Sequence, residues 1–388
     1  MQLQHFDIAT FLRDYWQQKP LLIRNPWAAW RNPLEPDELA GLACEDGVEA
    51  RLIAQAKKGW QVEHGPLAEA RFGKMGKAPW TLLVNAVDHH VPDVAALIEP
   101  FRFVPNWRID DVMVSYATDG GGVGPHFDQY DVFLVQGLGK RRWQIGAMCN
   151  ADTPLQLHDD LRLIADFEPV EDWILEPGDI LYVPPGVAHN GVAVGDDCMT
   201  YSIGFRAPSR SELIAHYCDD VLGRLEDDDR YADPGLAAQS VESGHNPGEI
   251  SADALERLHD MVTQALGDRD AFARWFGEYS STPKYPEQDW SPEAPVEIED
   301  VRAMLAEGAA LRRNPASRFS FIRHGDDRLL LFVDGECYEC ADETRAVAAP
   351  VCAQDLIEIE PELLKSDAVA ALIAALMNQG SIALDEED

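Results

Sequence analysis

Two periodicities divide the chain. Phe6, Ile8, Phe11, Leu12 and Trp16 recur at helical spacing as far as Pro20, and Leu21 to Ile23 then read as a short strand. Pro36 to Ala43 and Pro92 to Ile98 predict two more helices, with strands around Arg51 to Ile53 and Gly59 to Glu63 between them. Trp80 to Val84 fits either a strand or the start of a helix, and the adjacent His89 and His90, whose side chains must diverge, read as surface residues. From Trp107 the period falls to two: Val112, Val114 and Tyr116 share one face, and Met113, Ser115 and Ala117 the other. Asp131 to Gln136, Ile180 to Val183 and Met199 to Phe205 predict further strands, with a turn at Gly137 and Gly139.

Helical spacing returns over Arg210 to Tyr279, interrupted at DDDRYADPGLAAQSVESGHNPGEIS, with Ser209 or Ser211 and later Ser251 as candidate N-caps. Ser280 to Pro295, with four prolines, reads as a linker. Beyond it come a helix over Ile298 to Gly308, a hairpin over Phe319 to Glu339 turned at Asp334-Gly335, and two helices towards Leu376, an order that resembles a winged helix. Asp385 to Asp388 reads as a solvated tail.

A length of 388 residues implies two or three domains. No run of eighteen apolar residues exists to span a membrane, and the N-terminus lacks a basic region followed by an apolar core, so a cytoplasmic protein is expected. The seven cysteines are scattered, which argues for reduced thiols; Cys337-Tyr-Glu-Cys340 lies in a predicted hairpin without the ligands zinc needs or the context of a redox motif. Acidic residues outnumber basic ones 68 to 32, for a net charge of −36. Direct nucleic-acid binding is therefore not expected, and a winged helix here reads as a protein-binding or dimer-supporting unit. A very basic protein suits such a surface through electrostatic steering, although solubility alone also explains the acidity.

The chemistry concentrates in Gly120 to Trp143, GGGVGPHFDQYDVFLVQGLGKRRW. His126 and Asp128 are two apart, so on a strand they point to one face and can hold one metal ion; His189, after a Pro-Pro-Gly turn, offers a third ligand. Two histidines and a carboxylate make the facial set of non-haem Fe(II) oxygenases, which leaves three positions open. His-x-Asp alone is common in solvated loops, and it is the glycines, Pro125 and the apolar strand behind it that give it weight. The glycines are no nucleotide fingerprint, because no helix follows them. Ala151 to Asp166 is a polar insertion, either a lid or a long loop. Of Lys140, Arg141 and Arg142, one or two must face solvent.

GGGVGPHFDQYDVF, KRRW, EPGDILYVPPGVAH and YSIGFRAP resemble the JmjC-type 2-oxoglutarate oxygenases, and more narrowly the bacterial ribosomal oxygenases that hydroxylate an arginine of a large-subunit ribosomal protein. The resemblance implies an α+β chain in three parts. These are a double-stranded β-helix (cupin/JmjC jelly-roll) core over residues 1–208, a helical dimerisation region over 209–285, and a winged-helix-like domain over 286–388. It implies Fe(II) held by His126, Asp128 and His189, with 2-oxoglutarate and O2 as cosubstrates. Arg141, fifteen positions after the first ligand, would then turn inward to the far 2-oxoglutarate carboxylate, helped by Ser115. The expected partners are a basic large-subunit ribosomal protein as substrate and a second copy of the chain as homodimer. Asp119 and Asp131 are candidates to meet the substrate guanidinium. Histidine hydroxylation or demethylation would use the same machinery. The rival readings are a Zn or Mn cupin metalloenzyme and a non-catalytic cupin/winged-helix module, which the complete ligand set counts against.

Overall fold

The computed structural model describes residues 3–56, 59–76, 78–226, 228–232, 246, 248–306 and 309–385. Among them nine strands form one antiparallel sheet. These are β1 (Leu21–Ile23), β2 (Ala50–Ala56), β3 (Gly59–His64), β4 (Trp80–Val84), β5 (Ile109–Ala117), β6 (Asp131–Met148), β7 (Glu171–Leu175), β8 (Ile180–Val183) and β9 (Val187–Phe205). They lie in the order β1-β8-β6-β9-β5-β4-β2-β3, with β7 on the far part of β6. Trp80 to Val84 is thus a strand.

The two longest strands, β6 and β9, pair from Asp131–Phe205 at one end to Met148–Val187 at the other. Gly137 and Gly139 do not turn the chain. They sit at register shifts inside β6, where a Cβ on Gly137 would lie 2.5 Å from the Tyr201 ring and one on Gly139 2.6 Å from the Asp197 carbonyl oxygen. The glycines bend a continuous strand by bulging it, and the bend curls the sheet.

The outer face of the sheet carries Val112, Val114, Phe133, Val135, Tyr182, Ile203 and Phe205, which form the main core with the N-terminal segment. The first helix, Ile8–Asp14, starts at Asp7, whose carboxylate accepts the Ala9 and Thr10 N–H groups at 3.0 and 3.2 Å. Its Phe11 is buried against Tyr182 and Phe133. Ile8 and Leu12 face solvent, so the buried stripe is narrower than periodicity predicts.

The inner face is set by register. Arg51 lies opposite Leu83, Leu83 opposite Ser115, Ser115 opposite Thr200, and Thr200 opposite Gln136. Directly opposed residues of an antiparallel sheet share a face, so this row runs across one wall of the interior.

Past the sheet, Ser209 caps the helix Arg210–Arg224 in a reciprocal capping box with Glu212. Ser251 caps Ala252–Leu266, but the predicted continuation to Phe276 breaks at Gly267, and Asp268 caps a new helix, Arg269–Ser281. Most of the interrupting segment lies outside the described residues. Ser280 to Pro295 is no free linker: Lys284 reaches Asp110 and Asp111 at 3.2 and 2.9 Å, the Tyr285 hydroxyl donates to Glu49, and Gln288 donates to the Gly47 carbonyl.

The C-terminal part has the helices Ile298–Ala306, Thr344–Ala353 and Asp367–Asn378 around a three-stranded sheet, Phe319–His324, Arg328–Val333 and Glu336–Ala341, turned at Asp334-Gly335. Cys337 and Cys340 are unpaired strand residues. Asp385 is not part of a solvated tail; it accepts from Arg312 at 2.5 Å.

His89 also departs from expectation. It is buried, with a side chain 4 % exposed, and Tyr285 of the proline-rich strap packs edge-on against its ring. Its neighbour Asp88 accepts the Val112 N–H at 2.7 Å, and burial, followed by the nearby Asp111 carboxylate, pushes its carboxyl up to about 8. Lys284 opposes that shift from the strap. A carboxyl raised on folding holds its proton in the native state and loses it in the unfolded one. Its contribution is therefore full below pH 3.8 and fades as pH rises towards 8, at about 1.4 kcal/mol per pH unit. Asp88→Asn should remove that slope: the difference in urea midpoint between variant and wild type should grow from pH 5 to pH 8, and a constant difference would contradict the buried acid.

Candidate active site

The glycine segment works as an irregular strand laid along the start of β9. Gly120 N–H donates to the Ala193 carbonyl at 3.1 Å, Ala193 N–H to Gly121 at 2.8 Å, and His126 and His189 exchange N–H···O bonds at 3.0 and 2.8 Å. Gly122 has to be glycine, since a Cβ there would stand 2.4 Å from the Gly191 carbonyl oxygen. Gly186 N–H, from the Pro-Pro-Gly turn, donates to the Asp128 carbonyl at 2.7 Å. Backbone pairing alone thus sets His126 opposite His189, ring centroids 4.3 Å apart and tilted by 59°, and brings Asp128 beside them.

Asp128 Oδ2 lies 3.5 Å from His189 Nε2 and 3.8 Å from His126 Nε2. Among the described residues this is the group of three whose donor atoms all fall within 4.8 Å of one another. His126 Nδ1 is bonded to the Gly124 carbonyl at 2.8 Å and His189 Nδ1 to that of Val187 at 2.9 Å. A carbonyl can only accept, so both protons sit on Nδ1 and both Nε2 lone pairs are free for a metal. Burial, reinforced by His189, lowers His126 below the usual imidazole range; burial alone would raise Asp128, but its position between the two histidines holds its carboxyl below the usual carboxylate range. Two imidazole Nε2 atoms and a carboxylate suit Fe(II), and His126 and Asp128 remain 23 % exposed, which leaves an open side.

The polar atoms around this set fit a second ligand. Arg141 is 3 % exposed, and its Nε and Nη2 have no partner. Its guanidinium stands 5.7 Å from the Trp143 ring, itself 5.8 Å from the His189 ring. Lys140 and Arg142, by contrast, face outward to Glu176 and Asp172 at 2.5 and 2.8 Å. Ser115 is buried, with its hydroxyl only loosely held by the Thr200 carbonyl at 3.5 Å. Trp143 Nε1, Thr81 Oγ1 and Arg51 Nε are buried and unpartnered as well. Buried donors are nearly always satisfied, so this concentration inside the sheet marks a place built for a polar, anionic guest.

Several of these residues escaped the sequence reading. Thr81, Thr200, Gln136 and Arg51 share the wall with Ser115, and Tyr130 lies beside Asp128. Their only signal was period two, which names a face but not the face that looks inward. The insertion after Ala151 packs Leu161 and Leu163 against Ile53 and Leu83, and so covers the interior. Asp131 must be corrected. It is fully buried, accepting from the Tyr182 hydroxyl at 2.6 Å, Arg108 at 2.8 Å and Gln17 at 3.1 Å, and cannot reach a substrate. Asp119 is exposed beside the glycine segment and accepts the Gly195 N–H at 2.7 Å. No helix among the described residues is long and apolar enough to cross a membrane.

A curled antiparallel sheet with a His-Asp-His set inside it, an unpaired buried arginine and a winged helix behind define a 2-oxoglutarate-dependent protein hydroxylase of the JmjC class. The comparisons agree: the model of the JmjC domain matches residues 96–213 and that of the ROXA-like winged helix residues 257–383. The ribosomal protein uL16 3-hydroxylase of Escherichia coli is 37% identical over 95% of both chains, and a probable ribosomal oxygenase of Haemophilus influenzae 38% identical over 70% of this chain and 67% of that one. The solved structure of E. coli YcfD superposes with a TM-score of 0.88 at 35% identity, covering 99% of this chain and all of that one. YcfD bound to cobalt and 2-oxoglutarate superposes at 0.86, also at 35% identity, over 99% of each chain. The chain belongs to the JmjC-type ribosomal oxygenase family.

Proposed function

We propose that this enzyme hydroxylates an arginine side chain of a large-subunit ribosomal protein, releasing succinate and CO2. The observation that carries the reading is the buried Arg141, two of its guanidinium nitrogens unpaired, beside the His126–Asp128–His189 cluster. Two imidazoles oriented through Nδ1 and one carboxylate would hold Fe(II) through His126, Asp128 and His189. Arg141 would take the far carboxylate of 2-oxoglutarate through parallel N–H bonds, with the Ser115 hydroxyl adding a donor. When bound, iron and 2-oxoglutarate supply the oxidising chemistry: O2 gives one oxygen atom to succinate and the other to an unactivated C–H bond. The chain's own work is to fix the ligands, neutralise the cosubstrate and exclude water, the last through Leu161 and Leu163.

The ribosomal target rests on the E. coli relative, which is a uL16 3-hydroxylase, and on charge, since −36 attracts a basic protein. Such a substrate would be met in the cytoplasm. Asp119, exposed near the site, is the candidate to receive the substrate guanidinium. Intact-protein mass spectrometry of a ribosomal protein fraction tests the assignment. One added oxygen is expected on a single large-subunit protein, placed on arginine by fragmentation and reduced in an Asp119→Ala variant. An oxygen on another residue type, or on none, would overturn it.

The divisions near 208 and 285 and the homodimer complete the proposal. Helix Ala252–Leu266 has no buried residue, yet Leu255, Leu258, Val262 and Leu266 form an exposed stripe along it. A fifteen-residue helix is marginal without a partner for such a face. Light scattering should give twice the chain mass of 43.1 kDa, and Leu258→Glu with Val262→Glu should halve it; a wild-type monomer would contradict the dimer.

A further inference from the structure

The unpartnered buried polar atoms fall in two places. Five are the atoms of Arg51, Thr81, Arg141 and Trp143 inside the sheet; the other three, His89 Nδ1, Arg206 Nε and Arg313 Nε, belong to residues that line a separate cavity of about 290 Å³ between the sheet and the C-terminal domain. The His89 side chain is 4 % exposed and that of Arg313 10 %. The same criterion that singles out the cosubstrate site therefore singles out this one.

The cavity is cationic in a strongly acidic chain. Five arginines border it against three aspartates, and one of these, Asp88, keeps its proton at neutral pH because burial raises it to about 8. Asp110 is taken up by Arg318 and Lys284 at 2.8 and 3.2 Å, and Asp355 by Arg102 at 3.0 Å. Arg206 makes no ion pair among the described residues. It donates through Nη2 to the carbonyls of Trp107 and Ser280, and burial, then the charge of Arg318, pull its guanidinium down to about 10. Arg313 lies over the Phe319 ring at 4.7 Å, donates to the Cys352 carbonyl at 3.2 Å and stands 3.9 Å from Asp355, and it is lowered by burial and by Arg102. Water could bond the free N–H groups but would not neutralise two crowded, desolvated guanidiniums; an oxyanion does both.

We propose that this cavity is a second ligand site, which binds a metabolite-sized organic anion through a carboxylate or phosphate group held by Arg206 and Arg313, with His89 Nδ1 as a third polar contact. Pro92, Ala95, Ala96 and Phe319 supply apolar wall for the body of the ligand. Arg206 follows the last strand of the sheet and Arg313 belongs to the C-terminal domain, so an occupant ties the two together and stabilises their docked arrangement.

The test uses the full chain with its active site saturated by Co(II) and 2-oxoglutarate, so that Arg141 cannot answer for the cavity. Calorimetric titration with phenyl phosphate and with benzoate at constant ionic strength should find one saturable site per chain, weakened at least tenfold in both Arg206→Leu and Arg313→Leu and less in Arg313→Lys. The tighter probe names the head group. Hydrogen exchange on wild type, which no folding defect can confuse, should show protection by the probe confined to residues 311–318 and the segment around Arg206. No binding of either probe, binding in either leucine variant as tight as in wild type, or protection elsewhere would overturn the proposal.

Discussion

An Asp128→Ala chain is expected to fold and to release no succinate. The substitution removes the one anionic donor of the metal set and leaves two imidazoles, whose Nδ1 bonds to Gly124 and Val187 do not involve Asp128. Partners one shell out from a metal are worth about 10- to 100-fold in affinity, so loss of a ligand itself should cost more than about 100-fold. Cobalt titration followed by visible absorption, beside a succinate assay, reads both effects. The circular dichroism spectrum of the metal-free chain should be unchanged, because a 23 % exposed carboxylate between two imidazoles supports no part of the core. A variant that keeps tight metal binding would place the ion elsewhere.

Arg141→Met should move two properties in opposite directions. Truncating one partner of a buried charged contact costs about 2–5 kcal/mol, so the KM for 2-oxoglutarate should rise roughly 30- to 4,000-fold. The metal-free protein should become more stable, because methionine fills similar space without burying an uncompensated guanidinium. A structural arginine would behave otherwise: its loss would lower stability and leave KM alone. Measuring the urea midpoint of the metal-free variant together with its 2-oxoglutarate dependence separates the two. A Zn or Mn cupin enzyme that does not use 2-oxoglutarate would show no KM effect.

The metal set was legible because its signal is local. His126 and Asp128 are two apart, the glycines before them permit the close approach to β9, and a Pro-Pro-Gly turn delivers His189. Arg141 needed the family resemblance, since three basic residues in a row give no sign of which one turns inward. The rest of the wall depends on register between strands far apart in sequence. Arg51, Ser115 and Thr200 meet only because β2, β4, β5 and β9 pair as they do. The misreadings share that cause. Gly137 and Gly139 look like a turn because nothing local reveals that β9 pairs along both sides of them. His89 looks exposed until Tyr285, almost two hundred positions on, closes over it. Asp131 stands three positions from Asp128, but at the first residue of β6 its side chain points to the Arg108–Tyr182 side, away from the metal set.

The most direct test of the account is oxygen transfer itself. The enzyme would be incubated with Fe(II), 2-oxoglutarate, ¹⁸O2 and the large-subunit ribosomal proteins of its own organism, and succinate and protein mass followed together. The account predicts one succinate per hydroxylated protein, with the heavy isotope in the new hydroxyl group. Oxygen drawn from water, or a substrate mass that never changes while succinate accumulates, would contradict it.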